Sequence, residues 1–172
     1  MEELIVQTMK NLKQHGFDVR FCERVEEANE IIDGFVQPRA LVGFGGSMTI
    51  QEMQTAEYLA PKSIVVLDHN LPGLTAEEKH ALRRRELVSD VFLTSSNAVT
   101  ADGQLVNVDG AGNRVAAMTF GPGKVVVVCG VNKIVPDLEA AYQRIQQMAA
   151  PLNNVRLATG NPCTQAGHCV DC

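Results

Sequence analysis

The sequence predicts an α/β fold in three layers, with a mostly parallel sheet between two layers of helices. Short, nearly continuous apolar segments, typical of strands buried on both faces, alternate with longer segments whose apolar residues recur at helical spacing. Alternation of this kind is the pattern of a parallel sheet with helical crossovers. The chain has 172 residues, of which 45% are hydrophobic and 20% charged, so it suits one domain with a sizeable core.

Five apolar segments are predicted strands. Each is short and rich in β-branched or aromatic residues, and "KVVVVCG" shows the pattern most strongly. The five segments are "DVRFC" (18–22), "RALVGFG" (39–45), "SIVVLD" (63–68), "DVFLTS" (90–95) and "KVVVVCG" (124–130).

Four segments are predicted helices. Thr75 and Glu78 have the spacing of a capping box at the start of the third. The fourth is predicted to begin near Asp137 and to end where Pro151 stops it. The segments are 4–16, with an apolar stripe of Leu4, Ile5, Met9 and Leu12 and a cap at Gly16, then 25–35, 75–87 and 137–151.

The segment "NAVTADGQLVNVDG" (97–110) breaks the alternation. It holds two stretches of period-2 hydrophobicity around Asp102-Gly103, a dipeptide that favours a tight two-residue turn. The sequence therefore predicts an antiparallel hairpin inserted in the parallel sheet, with a second turn at Asp109 to Asn113.

Charge and hydropathy exclude some functions. A net charge of −5 and a pI near 5.3 argue against a broad nucleic-acid-binding surface, and the basic run "KHALRRRE" fits the solvated end of a helix. The sequence contains no apolar run long enough for a membrane span, and its start does not resemble a signal peptide. We therefore expect a cytoplasmic protein with reduced thiols.

The loop "GFGGSMT" (43–49) is the first candidate site. Gly43, Gly45 and Gly46 would let a ligand approach the backbone, and Ser47 and Thr49 would add hydroxyls and amides at a helix start. The loop is thus a candidate site for a small anion, although a tight strand-to-helix turn with an ordinary cap would give the same pattern.

Polar residues near predicted strand ends form the second candidate site. The carboxyl ends of parallel strands are where open α/β sheets bind ligands, and a lysine there can pair with an anion while a carboxylate can act as a base. Asp102, Asp109 and Lys133 are the catalytic candidates, although asparagines and aspartates also commonly shape turns. The other members of this set, expected to share a pocket with the glycine loop, are Ser95, Ser96, Asn97 and Asn107.

The third candidate site is the tail "PCTQAGHCVDC". Cys163, Cys169 and Cys172 have the spacing Cys-x₅-Cys-x₂-Cys, which in a reducing compartment favours an iron–sulfur cluster or zinc. His168 is a further zinc ligand candidate. The alternative is a disordered tail with incidental thiols.

The motifs "GGSMT", "DVFLTSSNAVTADGQLVNVDGAGNRVAAMTFGP", "VNKIV" and "PCTQAGHCVDC" together resemble the LUD (lactate utilization) domain family, in its subunit-C-like form. The resemblance implies a fold similar to phosphosugar isomerases and coenzyme A transferases, with ligand contacts from the loop 43–49. It divides the chain into a LUD-type domain (1–157) and a cysteine tail (158–172). In relatives with such a tail the sequence continues to a further cysteine, so we expect this chain to be truncated after Cys172. The implied cofactor of the full-length protein is a [4Fe–4S] cluster, with zinc as the runner-up.

Two functions follow from these features. The first is an accessory subunit in bacterial oxidation of L-lactate to pyruvate, acting with other redox subunits and binding a small anionic ligand. The alternative is a stand-alone isomerase- or transferase-like enzyme acting on a phosphorylated sugar or an acyl-coenzyme A. A non-catalytic binding module is a weaker third possibility.

Overall fold

The computed structural model describes residues 2–170 and 172, which form nine helices and seven strands. The helices are α1 (Glu2–Gln14), α2 (Val25–Asp33), α3 (Met48–Glu52), α4 (Thr55–Leu59), α5 (Ala76–Glu86), α6 (Asn113–Thr119), α7 (Leu138–Arg144), α8 (Ala150–Arg156) and α9 (Cys163–Ala166). The strands are β1 (Leu41–Phe44), β2 (Val65–Leu67), β3 (Val91–Thr94), β4 (Ala98–Thr100), β5 (Leu105–Val106), β6 (Lys124–Val127) and β7 (Ile134–Val135). Two 3₁₀ turns (Ala60–Lys62, Val131–Lys133) and a π-helix (Ile145–Ala149) complete the described elements.

The chain forms two compact units. The parallel-sheet unit comprises Phe21–Ser95 and Asp109–Cys129. The hairpin unit comprises Met1–Arg20, Ser96–Val108 and Gly130–Cys172, and so includes the cysteine tail.

The parallel-sheet unit confirms the predicted α/β fold. Its four strands are all parallel, in the order β2-β1-β3-β6. One face of the sheet packs on α2, α3 and α4 through a core that includes Ile32, Val42, Ile50 and Leu59. The other face is covered by α5 and α6. Helices thus lie on both faces of the sheet, as the three-layer prediction requires.

Helix α5 has the capping box that the sequence predicts. The Thr75 hydroxyl accepts a hydrogen bond from the Glu78 N–H at 3.2 Å, and the Glu78 carboxylate accepts one from the Thr75 N–H at 2.8 Å. Hydrogen bonds from Thr75 to the Glu78 carboxylate, above all from the Thr75 backbone N–H, lower the pKa of Glu78, because they stabilise its charged form. The reciprocal bonds fix the start of the helix, and hence the position of its last residue, Glu86.

The hairpin unit contains a sheet of its own. The predicted antiparallel hairpin is formed by β4 and β5, with Val99 opposite Leu105, and β7 pairs with β4 in parallel. The hairpin therefore lies in a second, three-stranded sheet rather than within the four-stranded one. Helix α7 packs on this sheet through Ala141, and the adjoining π-helix does so through Ile145.

The hairpin turn has three residues, not the two that the sequence predicts. The Gly103 N–H donates to the Thr100 carbonyl, and Gly103 has a φ of +82°, whereas Asp102 is not among the residues with positive φ. The loop is thus a β-turn followed by one left-handed glycine. A Cβ on Gly103 would lie 2.7 Å from the Leu12 backbone nitrogen, so both the backbone angle and the packing on α1 require glycine here.

Pro151 does not end the last long helix, contrary to the prediction. α7 begins after an Asp137 cap, passes into the π-helix and continues as α8 to Arg156. Pro151 lies in the first turn of α8. In a π-helix the N–H of a residue donates to the carbonyl five residues earlier, which for Pro151 is that of Gln146. Because proline has no N–H, the Gln146 carbonyl lacks this donor. The Cys169 N–H of the tail donates to that carbonyl at 2.7 Å. The proline thus leaves an acceptor that the tail uses.

The predicted strand at 18–22 is absent. These residues have no regular secondary structure, Phe21 is half exposed, and Asp18 pairs locally with Arg20. A strand forms only where another strand accepts its hydrogen bonds, and no described strand pairs with this segment. Apolar character alone therefore misled the prediction at this point.

Candidate functional site

The carboxyl edge of the parallel sheet contains a topological switch point. After β1 the chain runs to β2 on one side, whereas β3 lies on the other side of β1 and is followed in the sheet by β6. Loops that leave neighbouring parallel strands in opposite directions open a crevice, where doubly wound sheets bind their ligands. The glycine loop follows β1 directly, so it lies at this point of the sheet.

Core packing explains two of the three glycines in the loop. Gly43 is a residue of β1, and a Cβ there would lie 2.9 Å from the Phe92 ring. At Gly45 a Cβ would lie 2.7 Å from the Thr94 Oγ1 and 2.8 Å from the end of the Phe92 ring. Phe92 and Thr94 are both completely buried. Gly43 and Gly45 are thus required by the ring on the adjacent strand, and their presence carries no information about a ligand.

Gly46 and Ser47 are the part of the loop whose geometry is not explained by the core. Gly46 has a φ of +68°, and Ser47 caps α3 by accepting the Ile50 N–H at 3.3 Å. Helix α3, which contains Thr49, has only five residues, so its dipole adds little to an anion site. Binding at this loop would depend on the Gly46 and Ser47 backbone and hydroxyl rather than on a long helix.

The loop after β2 faces Gly46. The Asp68 carboxylate accepts hydrogen bonds from the Asn70 N–H at 2.8 Å and from the Asn70 side-chain amide at 3.0 Å, which is an Asx-type turn. The position of a Cβ on Gly46 is 3.1 Å from the Asn70 amide nitrogen. Asn70 therefore joins the ends of β1 and β2 at the carboxyl edge of the sheet.

His69, between these two residues, forms a buried pair with Glu86 of α5. The His69 Nδ1 lies 2.7 Å from the Glu86 Oε1, which also accepts the His69 backbone N–H at 3.2 Å. The His69 side chain is 9% exposed and that of Glu86 only 1%. The pair attaches the end of α5 to the end of β2 and brings an imidazole to the carboxyl edge.

A second buried ion pair joins the start of α6 to the end of β3. Arg114 donates its Nε to the Asp109 carboxylate at 2.8 Å and an Nη to the Ser95 carbonyl at 2.9 Å. The other Asp109 oxygen accepts the Val115 N–H at 2.7 Å. The Ser95 hydroxyl lies 3.6 Å from the Cys129 Sγ. Asp109, a catalytic candidate from the sequence, thus has both oxygens occupied in a contact that fixes the start of α6.

The remaining polar candidates belong to the hairpin unit. The Ser96 hydroxyl donates to the Ala98 carbonyl at 2.7 Å. The Asn107 side chain accepts the Asn97 N–H at 3.2 Å, and the Asn97 side chain accepts the Val108 N–H at 2.8 Å. These contacts favour the turn-shaping role for the two asparagines.

Asp102 and Lys133 are also residues of the hairpin unit. Asp102 is exposed in the hairpin turn, and Lys133 is half-buried at the end of a 3₁₀ turn. Ser47 and Asp109 belong to the other unit. The pocket expected to join Ser47, Asn97 and Lys133 stays a prediction.

The tail cysteines differ in environment. Cys163 is buried at the start of α9, which packs on α8, whereas Cys169 and Cys172 are exposed. Among residues 2–170 and 172, no group of three or more His, Cys, Asp or Glu side chains is placed to hold a metal ion. The three cysteines therefore do not form a ligand set in this arrangement, and the metal site stays a prediction.

Two buried charged contacts of this edge, His69 with Glu86 and Arg114 with Asp109, were not predicted from the sequence. Asp68, His69 and Asn70 follow the strand "SIVVLD" directly, which is a signal of the same kind as the one that selected Ser95. Glu86 gave no such signal, because it follows three arginines and resembles the solvated end of a helix. The sequence around Arg114, where a turn leads into a helix, likewise gave no sign of a buried ion pair.

The described part of the chain is an α/β protein whose parallel sheet has polar loops at its carboxyl edge. Comparison with protein families matches residues 5–171 to the LUD domain, which is nearly the whole chain. The chain belongs to this family, and so it is a lactate-utilization-associated domain protein. No curated protein and no solved structure matches it significantly. None of the described helices is long and apolar enough to cross a membrane.

Proposed function

We propose that the chain is an accessory subunit of a bacterial system that oxidises L-lactate to pyruvate, and that it binds a small anionic ligand at the carboxyl edge of the parallel sheet. Membership of the LUD domain family supports the lactate part of the proposal. The observation that carries the ligand part is the position of the Gly46–Ser47 loop at the switch point of the sheet.

The charges at this edge favour a monocarboxylate over a phosphate. The Asp68 carboxylate lies in the loop after β2, and the Glu86 carboxylate lies behind His69. The Arg114 guanidinium, at the start of α6, already pairs with Asp109 at 2.6 Å. Each added negative charge on a ligand would meet these carboxylates, so a dianionic phosphate is disfavoured relative to lactate or pyruvate.

The test is thermal unfolding of the chain with millimolar L-lactate, pyruvate or inorganic phosphate. We expect L-lactate or pyruvate to raise the midpoint, because a ligand at one hundred times its Kd stabilises a protein by about 2.7 kcal/mol. Phosphate at the same concentration should have little effect. Stabilisation by phosphosugars or coenzyme A thioesters without stabilisation by either carboxylate would overturn the proposal and support the isomerase- or transferase-like alternative.

The tail is a second part of this proposal. We infer that Cys163, Cys169 and Cys172 contribute to an iron–sulfur or zinc site in the assembled system, through which the chain associates with redox subunits. The supporting observation is their sequence spacing. Iron, sulfide and zinc analysis of anaerobically prepared protein, with Cys169→Ser as the control, tests it. Protein with neither metal, in the presence of its partner subunits, would rule the site out.

A further inference from the structure

His69 is held in one orientation. The Glu86 Oε1 accepts the His69 backbone N–H at 3.2 Å and lies 2.7 Å from Nδ1, so an ionised Glu86 selects the tautomer in which Nδ1 carries the proton. On the other side of the ring, the Asn70 amide nitrogen lies 3.4 Å from Nε2. An amide nitrogen can only donate, so Nε2 has a lone pair directed to the loop side of the sheet edge.

Burial of the Glu86 carboxylate is an energetically unfavourable way to attach α5 to the sheet. Its side chain is 1% exposed, and its Oε2 has no hydrogen-bond partner among the residues that the structure describes. It is also the last residue of α5, where the helix dipole disfavours a negative charge. A buried carboxylate with one unpaired oxygen destabilises a fold, so its presence calls for an explanation other than stability. Orienting a functional imidazole is such an explanation.

The Asn70 side chain lies between the His69 Nε2 and the candidate ligand position at Gly46. Asn70 is in contact distance of Gly46 on one side and of His69 on the other. The 3.4 Å separation between the Asn70 nitrogen and Nε2 is beyond the usual range of an N–H hydrogen bond, so this contact is weak. A stronger donor placed beside Gly46 would displace it.

We propose that the His69 Nε2 accepts a hydrogen bond from the hydroxyl group of a small 2-hydroxy acid bound at the Gly46–Ser47 loop, and that Glu86 is the positioning residue for the imidazole. The inference rests on the proposed binding of a small carboxylate at this edge and adds the group that recognises its hydroxyl. A buried acceptor of this kind would distinguish a 2-hydroxy acid from the corresponding acid without a hydroxyl, because the latter leaves Nε2 unpaired.

The experiment is a ¹⁵N NMR titration of the imidazole of the whole chain with L-lactate and, separately, with propionate, which has the same carbon chain and carboxylate but no hydroxyl. Without ligand, we expect the His69 signals of a ring whose Nδ1 carries the proton. L-lactate should shift the Nε2 signal saturably, whereas propionate should not. Binding of lactate that leaves Nε2 unmoved, or an equal shift with both acids, would overturn this inference while the proposed function stands. No binding of either acid would overturn both.

Variants test the two roles separately. His69→Gln keeps an amide that can donate to Glu86 but removes the ring, so we expect lactate affinity to fall roughly tenfold and propionate affinity to stay unchanged. Glu86→Gln should leave the protein folded but make the His69 signals those of mixed tautomers. His80→Gln and Glu77→Gln, exposed on the same helix, are the matched controls and should change neither. Unchanged lactate affinity in His69→Gln would contradict the proposal.

Discussion

Gly45→Ala is expected to lower the free energy of unfolding by about 1–3 kcal/mol, as overpacking of a rigid core does. The new Cβ would lie 2.7 Å from the Thr94 Oγ1 and 2.8 Å from the Phe92 ring. Both neighbours are completely buried, so neither can move aside without disturbing the sheet. Urea unfolding measures the loss, and for a chain of this size each kcal/mol corresponds to about 2–4 °C in Tm.

Gly110→Ala is the matched control, because nothing lies within 4 Å of a Cβ at Gly110 and its backbone angle is an ordinary one. We expect it to change stability by less than about 0.5 kcal/mol. Adding Phe92→Leu to Gly45→Ala should recover part of the loss, because leucine lacks the ring atoms that the new Cβ at position 45 would contact. A Gly45→Ala protein as stable as the control would show that packing does not explain this glycine, and would restore it as evidence for a ligand.

Asp109→Ala is expected to have the larger effect, a loss of about 3–5 kcal/mol, as removal of one partner from a buried ion pair generally produces. The Asp109 and Arg114 side chains are 8% and 12% exposed. The substitution would leave the guanidinium without its counterion and the Val115 N–H without its acceptor. Urea unfolding again provides the measurement.

Asp18→Ala removes a similar ion pair from the surface, where Asp18 and Arg20 are both more than half exposed. Solvent screens such pairs, so we expect little change in stability. If Asp109→Ala were as mild as Asp18→Ala, the structural role of Asp109 would be wrong, and its candidacy as a catalytic base would regain support.

The central strands of the parallel sheet, β1 and β3, were predictable because nearly all of their residues are buried. The edge strands β2 and β6 are partly exposed, although their apolar segments are just as continuous. Segments such as "DVFLTS" have no polar face. Burial of this kind leaves a continuous apolar run, so the strand can be recognised from its own sequence without knowing which strands pair with it. The same reasoning failed at 18–22, where the apolar residues are exposed and no strand is available for pairing. Pairing between strands depends on the folded chain, so it cannot be recognised from the sequence of one segment.

The glycine loop shows why the candidate site was only partly predictable. Three glycines in seven residues suggested a ligand, but Gly43 and Gly45 are small because Phe92 occupies the space beside them. Phe92 is about fifty positions away in the sequence, so the cause could not be read at the loop itself. Gly46 remains as the glycine whose surroundings fit a ligand position.

The His69–Glu86 pair was invisible for the same reason. The two residues are 17 positions apart, on a loop and on a helix, and only the packing of α5 on the sheet brings them to 2.7 Å. The sequence context predicts an exposed side chain for Glu86, because "RRRE" is typical of a polar helix end. Buried charge contacts between distant segments are the features that sequence patterns describe least well.

The most direct test of the central claim, ligand binding at the carboxyl edge of the parallel sheet, is amide hydrogen exchange of the chain with and without saturating L-lactate. We expect slower exchange at residues 45–49 and 68–70, the loops that follow β1 and β2, with little change at the hairpin turn around Asp102. Saturating lactate that protects neither loop, or that protects only residues outside the parallel-sheet unit, would contradict the claim.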